Sequence, residues 1–291
     1  KVPVLIPRIF NYPLTYNSNS LKSLKQGDLV QVKIGKSSEI GVVWDKIQIT
    51  KRKFKIKNIE NIVKKFKFNK NLIKFINWFS LYNLTPKGMV LKMCLGDQKN
   101  ILNIEEKILT PKLNPKKIFL LNDEQKESLN DLKSFGAKFN VSVLQGVTGS
   151  GKTLVYFERI KEIIKNKKQV LILLPEIFLT NQFEERFIEY FGYPPAIWHS
   201  KISLKKKRKI WQGVIDGEIK TVIGARSSLF LPFKKLGLII LDEEHDNSYK
   251  QDEGLIYNAR DMAISRAFFE NIPIHLVSSV PSVETFDNIK S

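Results

Sequence analysis

The stretch VSVLQGVTGSGKTLVYFERI constrains this chain more than any other. Gly146, four intervening residues, then Gly151, Lys152 and Thr153 match G-x-x-x-x-G-K-[ST], set between a short apolar strand and an amphipathic helix. Glycines let the backbone wrap tightly, so that successive N–H groups converge on phosphate oxygens. The helix that begins at the loop adds the positive end of its dipole. In this pattern Gly146, Val147, Thr148, Gly149, Ser150 and Gly151 form the cradle of an ATP-type site. Lys152 reaches the β- and γ-phosphates, and Thr153 ligates Mg2+. Ligands of open α/β sheets bind outside the carboxyl ends of the strands, so such a sheet is the expected frame.

The rest of the second region fits that frame. VSVL, QVLILLP, AIWH, TVIG, LGLIILDE and IPIHLVSS alternate with segments of helical character. Continuous apolar runs suit strands buried on both faces of a parallel sheet, and the alternation predicts helices on both sides. One strand empties into Asp242, Glu243, Glu244, His245 and Asp246. Adjacent acids on an ordinary surface turn repel one another, and a bound cation relieves that repulsion. At the sheet edge shared with the phosphate loop, Asp242 would hold Mg2+ and Glu243 would polarise the attacking water. A phosphotransferase acting on a small substrate shares the loop and stays open on these residues alone.

Residues 1–96 read differently. VPVLIP, DLVQVKI, EIGVVWDKIQI and KIKNIENIV are rich in Val and Ile and separated by turn residues, which predicts a small, mostly antiparallel barrel. NKNLIKFINWFSLYN places Leu72, Phe75, Ile76 and Phe79 at helical spacing, an appended helix whose aromatic stripe faces a core. The predicted organisation is this barrel-like domain over 1–96, a Lys-, Asn- and Pro-containing linker over 97–118, and the α/β domain over 119–291. The run KISLKKKRKI reads as the solvated face of a helix starting near Ser203.

Composition bears on partners. The formal net charge is +19, which points to a polyanion, most simply nucleic acid. Lysine far outnumbers arginine, as AT-rich coding would also give, so charge by itself leaves both explanations open. A single cysteine, Cys94, excludes a disulfide framework and a cysteine-built zinc site within these residues. No apolar run has the length of a membrane span, and a reducing, cytoplasmic setting is expected.

GVTGSGKT, LLPEIFLTNQFEERF, GARSSLFLPF, DEEHDNSYKQDEG and YNARDMAI together resemble the primosomal replication-restart helicases of the PriA type. PRIFNYPL and VKIGKSSEIGVV resemble that family's opening DNA-binding domain. The resemblance implies a RecA-like motor lobe of a superfamily 2, 3′-to-5′ DNA helicase. ATP and Mg2+ would be its cofactors, and forked or single-stranded DNA, other primosome proteins and single-strand-binding proteins its partners. It implies that Gln125 reads adenine and that His245 passes the nucleotide state to the DNA surface. Phe10, Asn11, Tyr12, Gly35 and Lys36 take the positions of a pocket for a 3′ end. Ser248 to Tyr257 corresponds to an aromatic-rich loop, with Tyr249 and Tyr257 as candidates to stack on bases and Lys250 and Arg260 near phosphates.

Against that family's pattern, a second motor lobe, a zinc-binding region and a winged-helix domain are expected to be missing. Val280 stands where a threonine is usual, and Asn11 where an acid is usual. A second expectation therefore stands beside the helicase: a reduced, non-unwinding DNA-binding protein that retains nucleotide binding.

Overall fold

The structure, a computed structural model, describes residues 1–18, 24–45, 56–96 and 113–290. Most of the expected linker (97–112), positions 46–55 at the ends of two expected strands, and Ser291 lie outside the described residues. The chain divides into two compact units. One comprises Lys1–Lys107, Ser203–Asp216 and Phe230–Lys234, and the other Ile108–Ile202, Gly217–Leu229 and Lys235–Ser291. Two short stretches that the sequence reading placed in the second region thus belong to the first unit.

In the first unit, β1 (Val2–Leu5), β2 (Leu14–Tyr16), β3 (Asp28–Ile34), β4 (Ser37–Val43) and β5 (Ile59–Lys67) form an antiparallel sheet in the order β2-β1-β4-β3-β5. Asn17 N donates to Lys57 O at 2.9 Å and Ile59 N to Asn17 O at 3.0 Å, so the two edge strands meet and the sheet curls as a barrel does. Alternate residues Val4, Val30 and Val32 fill its interior. α1 (Lys70–Tyr82) starts at Asn69, whose side chain accepts from Leu72 N, and buries Leu72, Phe75, Ile76 and Phe79 as the helical spacing predicts. α2 (Lys87–Leu95) follows. The segment 203–216 contributes a helix to this unit because its apolar face has partners here. Trp211 meets Phe66 edge-on at 5.3 Å and donates its indole N–H to Cys94 O at 2.7 Å.

In the second unit, α3 (Asp123–Ser134) precedes β6 (Asn140–Gln145) and α4 (Lys152–Lys165). Next come β7 (Gln169–Leu173), α5 (Asn181–Phe191) and β8 (Ala196–Trp198). The helix of the first unit just described, α6 (Leu204–Asp216), is followed by β9 (Thr221–Gly224) and β10 (Leu236–Asp242). The short β11 (Lys250–Gln251) and β12 (Tyr257–Asn258), then α7 (Ala259–Glu270), β13 (Pro273–Ser278) and α8 (Val283–Lys290), complete the chain.

All six long strands of this unit are parallel, in the order β6-β13-β10-β7-β9-β8. Every residue of β7, β9, β10 and β13 is buried, which is what their uninterrupted apolar runs require. Phe157 on α4 packs among Phe183, Phe187, Tyr190 and Phe191 of α5, fixing the two helices against one another. Fully burying a side chain of that size stabilises the fold by roughly 2–3 kcal/mol. Among the described residues no helix is long and apolar enough to cross a membrane.

Candidate nucleotide site and nucleic-acid pocket

The phosphate loop runs from the end of β6 into α4, with Lys152 and Thr153 as that helix's first residues. Gly151 is left-handed at φ +85°, and a Cβ there would lie 2.3 Å from Gln125 Nε2. Gln125 is part of the capping box of α3: its N–H donates to the Asn122 side chain, and its own side chain accepts from Asn122 N. Its amide then donates to Ser150 O at 2.9 Å. The helix cap therefore holds Gln125 against the loop. The Lys152 ammonium is turned into the loop, donating to Gly146 O at 2.5 Å and Val147 O at 3.2 Å. Val147, Thr148, Gly149 and Ser150 are exposed around it.

β10 ends at the same sheet edge. Asp242 is 8% exposed, accepts from the Tyr156 hydroxyl at 2.8 Å and accepts from Glu243 N at 3.0 Å. Burial pushes its carboxyl up to about 6; the Tyr156 hydrogen bond opposes that and the neighbouring Glu243 charge adds to it. A carboxylate so short of compensating charge is suited to a cation, and Thr153 lines the same cavity. Among the described residues no three His, Cys, Asp or Glu side chains form a metal cluster. The donor set, one carboxylate and one hydroxyl, thus fits an Mg2+ whose remaining ligands are phosphate and water. Glu243 adopts φ +50°, a left-handed backbone that a non-glycine residue holds only under constraint. Glu243 lines a cavity of about 190 Å3 together with Thr153 and Asp242.

β13 lies between the strands that carry these two groups, and its last residues touch both. Gly146 N donates to Ser278 O at 3.2 Å, and Glu244 N donates to Val277 O at 3.1 Å. His245 Nδ1 lies 2.7 Å from Ser278 Oγ. Glu244, absent from the sequence-derived site, is buried and accepts from Ser282 N at 2.6 Å, Ser282 Oγ at 3.1 Å and Thr285 Oγ1 at 3.0 Å. Its position in an acidic run concealed this role, since nothing in DEEHD marks the third acid as buried. Tyr156 was likewise missed, being an aromatic inside an amphipathic helix pattern.

Three expectations for the aromatic-rich loop need correction. Tyr249 is 2% exposed, and its hydroxyl reaches Asp242 O at 2.6 Å and Leu173 O at 3.1 Å. Tyr257 is 4% exposed on β12. Both rings serve the interior and present no face to a base. The Arg260 guanidinium lies against Ser282 Oγ at 2.5 Å and Glu244 at 3.5 Å, so its charge is spent within the unit. Lys250 is exposed, and its carbonyl accepts from Arg226.

In the first unit the expected pocket residues lie on two loops. Phe10, Asn11 and Tyr12 follow β1, and Gly35 and Lys36 make the β3–β4 turn. Arg8 ties the two loops by donating to Ser37 Oγ at 2.8 Å and pairing with Glu39. Gly88 on α2 lets its helix approach: a Cβ there would lie 2.0 Å from Arg8 O, and its N–H donates to Phe10 O at 2.9 Å. Tyr12 is exposed, with its ring centroid 6.1 Å from that of Phe10. Asn11 Oδ1 lies 3.2 Å from Ser80 Oγ.

Known proteins match both regions of the chain. The family model described as DEAD/DEAH box helicase matches residues 122–288, and one described as 3′DNA-binding domain matches residues 1–96. The replication restart protein PriA of Rickettsia conorii is 40% identical over 99% of this chain and 44% of its own length. That of Helicobacter pylori is 36% identical over 96% and 42% respectively. The chain thus spans less than half the length of these relatives. A structure of RecG bound to a three-way DNA junction aligns with TM-score 0.43 and 24% identity over 58% of this chain and 22% of that one, too distant to bear on function. The chain belongs to the DEAD/DEAH box helicase family and matches the N-terminal portion of the replication restart proteins of the PriA type.

Proposed function

We propose that this chain is the nucleotide-binding lobe and 3′-end-binding domain of an ATP-dependent, 3′-to-5′ DNA helicase that acts at stalled forks to restart replication. The observation that supports it most is the meeting of Lys152, Thr153, Asp242 and Glu243 at one sheet edge, with β13 bonded to both the phosphate loop and the acidic turn. When bound, Mg2+ would supply charge neutralisation on the phosphates. Thr153 and Asp242 would hold it, Lys152 would move from the loop carbonyls to phosphate oxygen, and Glu243 would orient the attacking water. The His245–Ser278 contact is the route by which that state would reach the turn after β13. Forked or single-stranded DNA is the partner proposed for the Phe10–Tyr12 and Gly35–Lys36 loops. Primosome proteins and single-strand-binding proteins, in a cytoplasmic setting, are proposed from the relatives.

The test is ATP turnover of the longest native form, with and without forked DNA. Lys152→Ala should lower turnover by about a hundredfold or more, through loss of a phosphate clamp. Glu243→Gln should lower it by roughly 10²–10⁴ while nucleotide still binds. Turnover indifferent to DNA would sink the helicase reading and leave the reduced, nucleotide-binding protein. Unimpaired turnover by Lys152→Ala would refute the site.

A further inference from the structure

Arg186 is a cation for which neither the phosphate loop nor the acidic turn accounts. It projects from α5 and lines the same cavity of about 190 Å3 as Thr153, Asp242 and Glu243. Among the described residues lining that cavity it is the only cationic side chain. It makes no hydrogen bond and no ion pair with any described residue, although two carboxylates share its cavity. The helix that carries it is not loose. Phe183 and Phe187, which flank it on α5, meet Phe157 at 6.0 and 5.6 Å between ring centroids. The packing therefore holds at the cavity wall the helix that carries Arg186. Its field nevertheless reaches the carboxylate side, opposing the burial that raises the Tyr156 hydroxyl donating to Asp242.

A guanidinium so placed wants an anion, and its planar fork matches phosphate oxygens. Lys152, the other nearby cation, is turned into the loop toward Gly146 O and Val147 O and does not line that cavity. We propose that Arg186 is a phosphate ligand of this site in cis: it contacts the terminal phosphate of a nucleoside triphosphate whose inner phosphates the Gly146–Thr153 loop cradles. The lobe would then tell triphosphate from diphosphate with its own residues. This rests on the nucleotide-binding reading above and adds to it a residue that senses the third phosphate.

The experiment measures the affinities of a non-hydrolysable ATP analogue and of ADP, each with Mg2+, for the full chain and for Arg186→Gln, Arg186→Lys and Lys152→Ala. Arg186→Gln should weaken the triphosphate analogue about tenfold and leave ADP within about twofold, the loss of one charge-assisted contact. Arg186→Lys should recover part of that loss, because the charge remains and the fork is gone. Arg186 is exposed and unpartnered, so the melting temperature should not move in either variant. Equal weakening of both nucleotides would overturn the proposal in favour of a supporting role for α5. So would unchanged affinity for both, or a loss confined to DNA binding. If the unmodified chain binds neither nucleotide and Lys152→Ala is no different, the nucleotide site itself fails, and the proposal with it.

Discussion

Tyr249 sits in a loop crowded with charge, yet its ring is buried and its hydroxyl is given to the Asp242 carbonyl. Tyr249→Ala should therefore cost about 3–5 kcal/mol of stability, as truncation of a large buried ring does. DNA affinity measured well below the melting temperature should stay unchanged. A stacking residue would give the opposite result, with a loss of about 1–3 kcal/mol in binding and an intact melting temperature. His275 is a second residue whose surroundings make a measurable claim. It is fully buried on β13 with Nδ1 2.6 Å from Ser142 Oγ, and burial, reinforced by the Arg159 charge, lowers it to about 3. The unfolded chain takes up this proton near pH 6.5 and the folded chain only near 3. Between those values the unfolded state holds more protons, so stability falls as pH falls through that window. The contribution lost between pH 6.5 and 4.5 is on the order of 2 kcal/mol. Denaturant titrations of the wild type and His275→Gln at those two pH values check it. The stability difference between them should shift by about that amount, and a constant difference would refute the assignment.

The end of β10 is where sequence and structure part company most instructively. DEEHD reads as one acidic run, but the left-handed turn at Glu243 divides it. Asp242 and Glu243 line the cavity, Glu244 goes inward to Ser282, Thr285 and Arg260, and His245 reaches Ser278. A buried carboxylate with three hydrogen-bond donors and a guanidinium at 3.5 Å is a clamp on the turn between β13 and α8. Glu244→Ala should destabilise the fold by about 3–5 kcal/mol, because the Ser282 and Thr285 donors lose their acceptor and Arg260, still near Asp261 and Glu284, loses its buried carboxylate. Adding Arg260→Leu should return part of that loss, and a double-mutant cycle by chemical denaturation measures the coupling. Strict additivity would mean that the two side chains do not interact. The long strands were legible because each is a continuous apolar run, and α1 because its apolar residues repeat at helical spacing. The pairing of β11 with β12 was not legible, since two residues per strand carry no period. The phosphate loop and the Asp242–Glu243 pair were legible from residue type and order. Glu244, Tyr156 and Arg186 were not, because only the folded sheet decides which side chains bond to a motif or share its cavity.

At the scale of the whole chain, the charge is not spread evenly. Residues 1–96 hold 19 Lys and Arg against 4 Asp and Glu, whereas residues 119–291 hold 24 against 22. Uniform drift of coding toward lysine would not by itself concentrate the excess in the first ninety-six residues while leaving the α/β region near neutral. The concentration belongs with the domain that carries the Phe10–Tyr12 and Gly35–Lys36 loops, next to which Arg8 donates to Ser37. A phosphate-binding surface makes a quantitative claim, because each neutralised phosphate releases condensed counterions. For a single strand, log affinity should fall linearly with log salt at a slope of about −0.7 per contact. About five contacts would then cost roughly a hundredfold in affinity between 50 and 200 mM salt. Lys36 adjoins Gly35, and Lys87 follows the Asn11 side chain, whose Oδ1 lies 3.5 Å from Lys87 N. Replacing Lys36 and Lys87 with Gln should reduce the slope by about 0.7 for each lysine that touches phosphate. The exposed Lys138 and Lys165 of the other unit serve as the control pair, and their replacement should leave the slope where it was. Fluorescence anisotropy of a labelled strand over that salt range reads all three proteins. Equal slopes in all three would mean that the lysines beside the pocket do not touch phosphate, and a slope near zero in the wild type would return the +19 charge to composition.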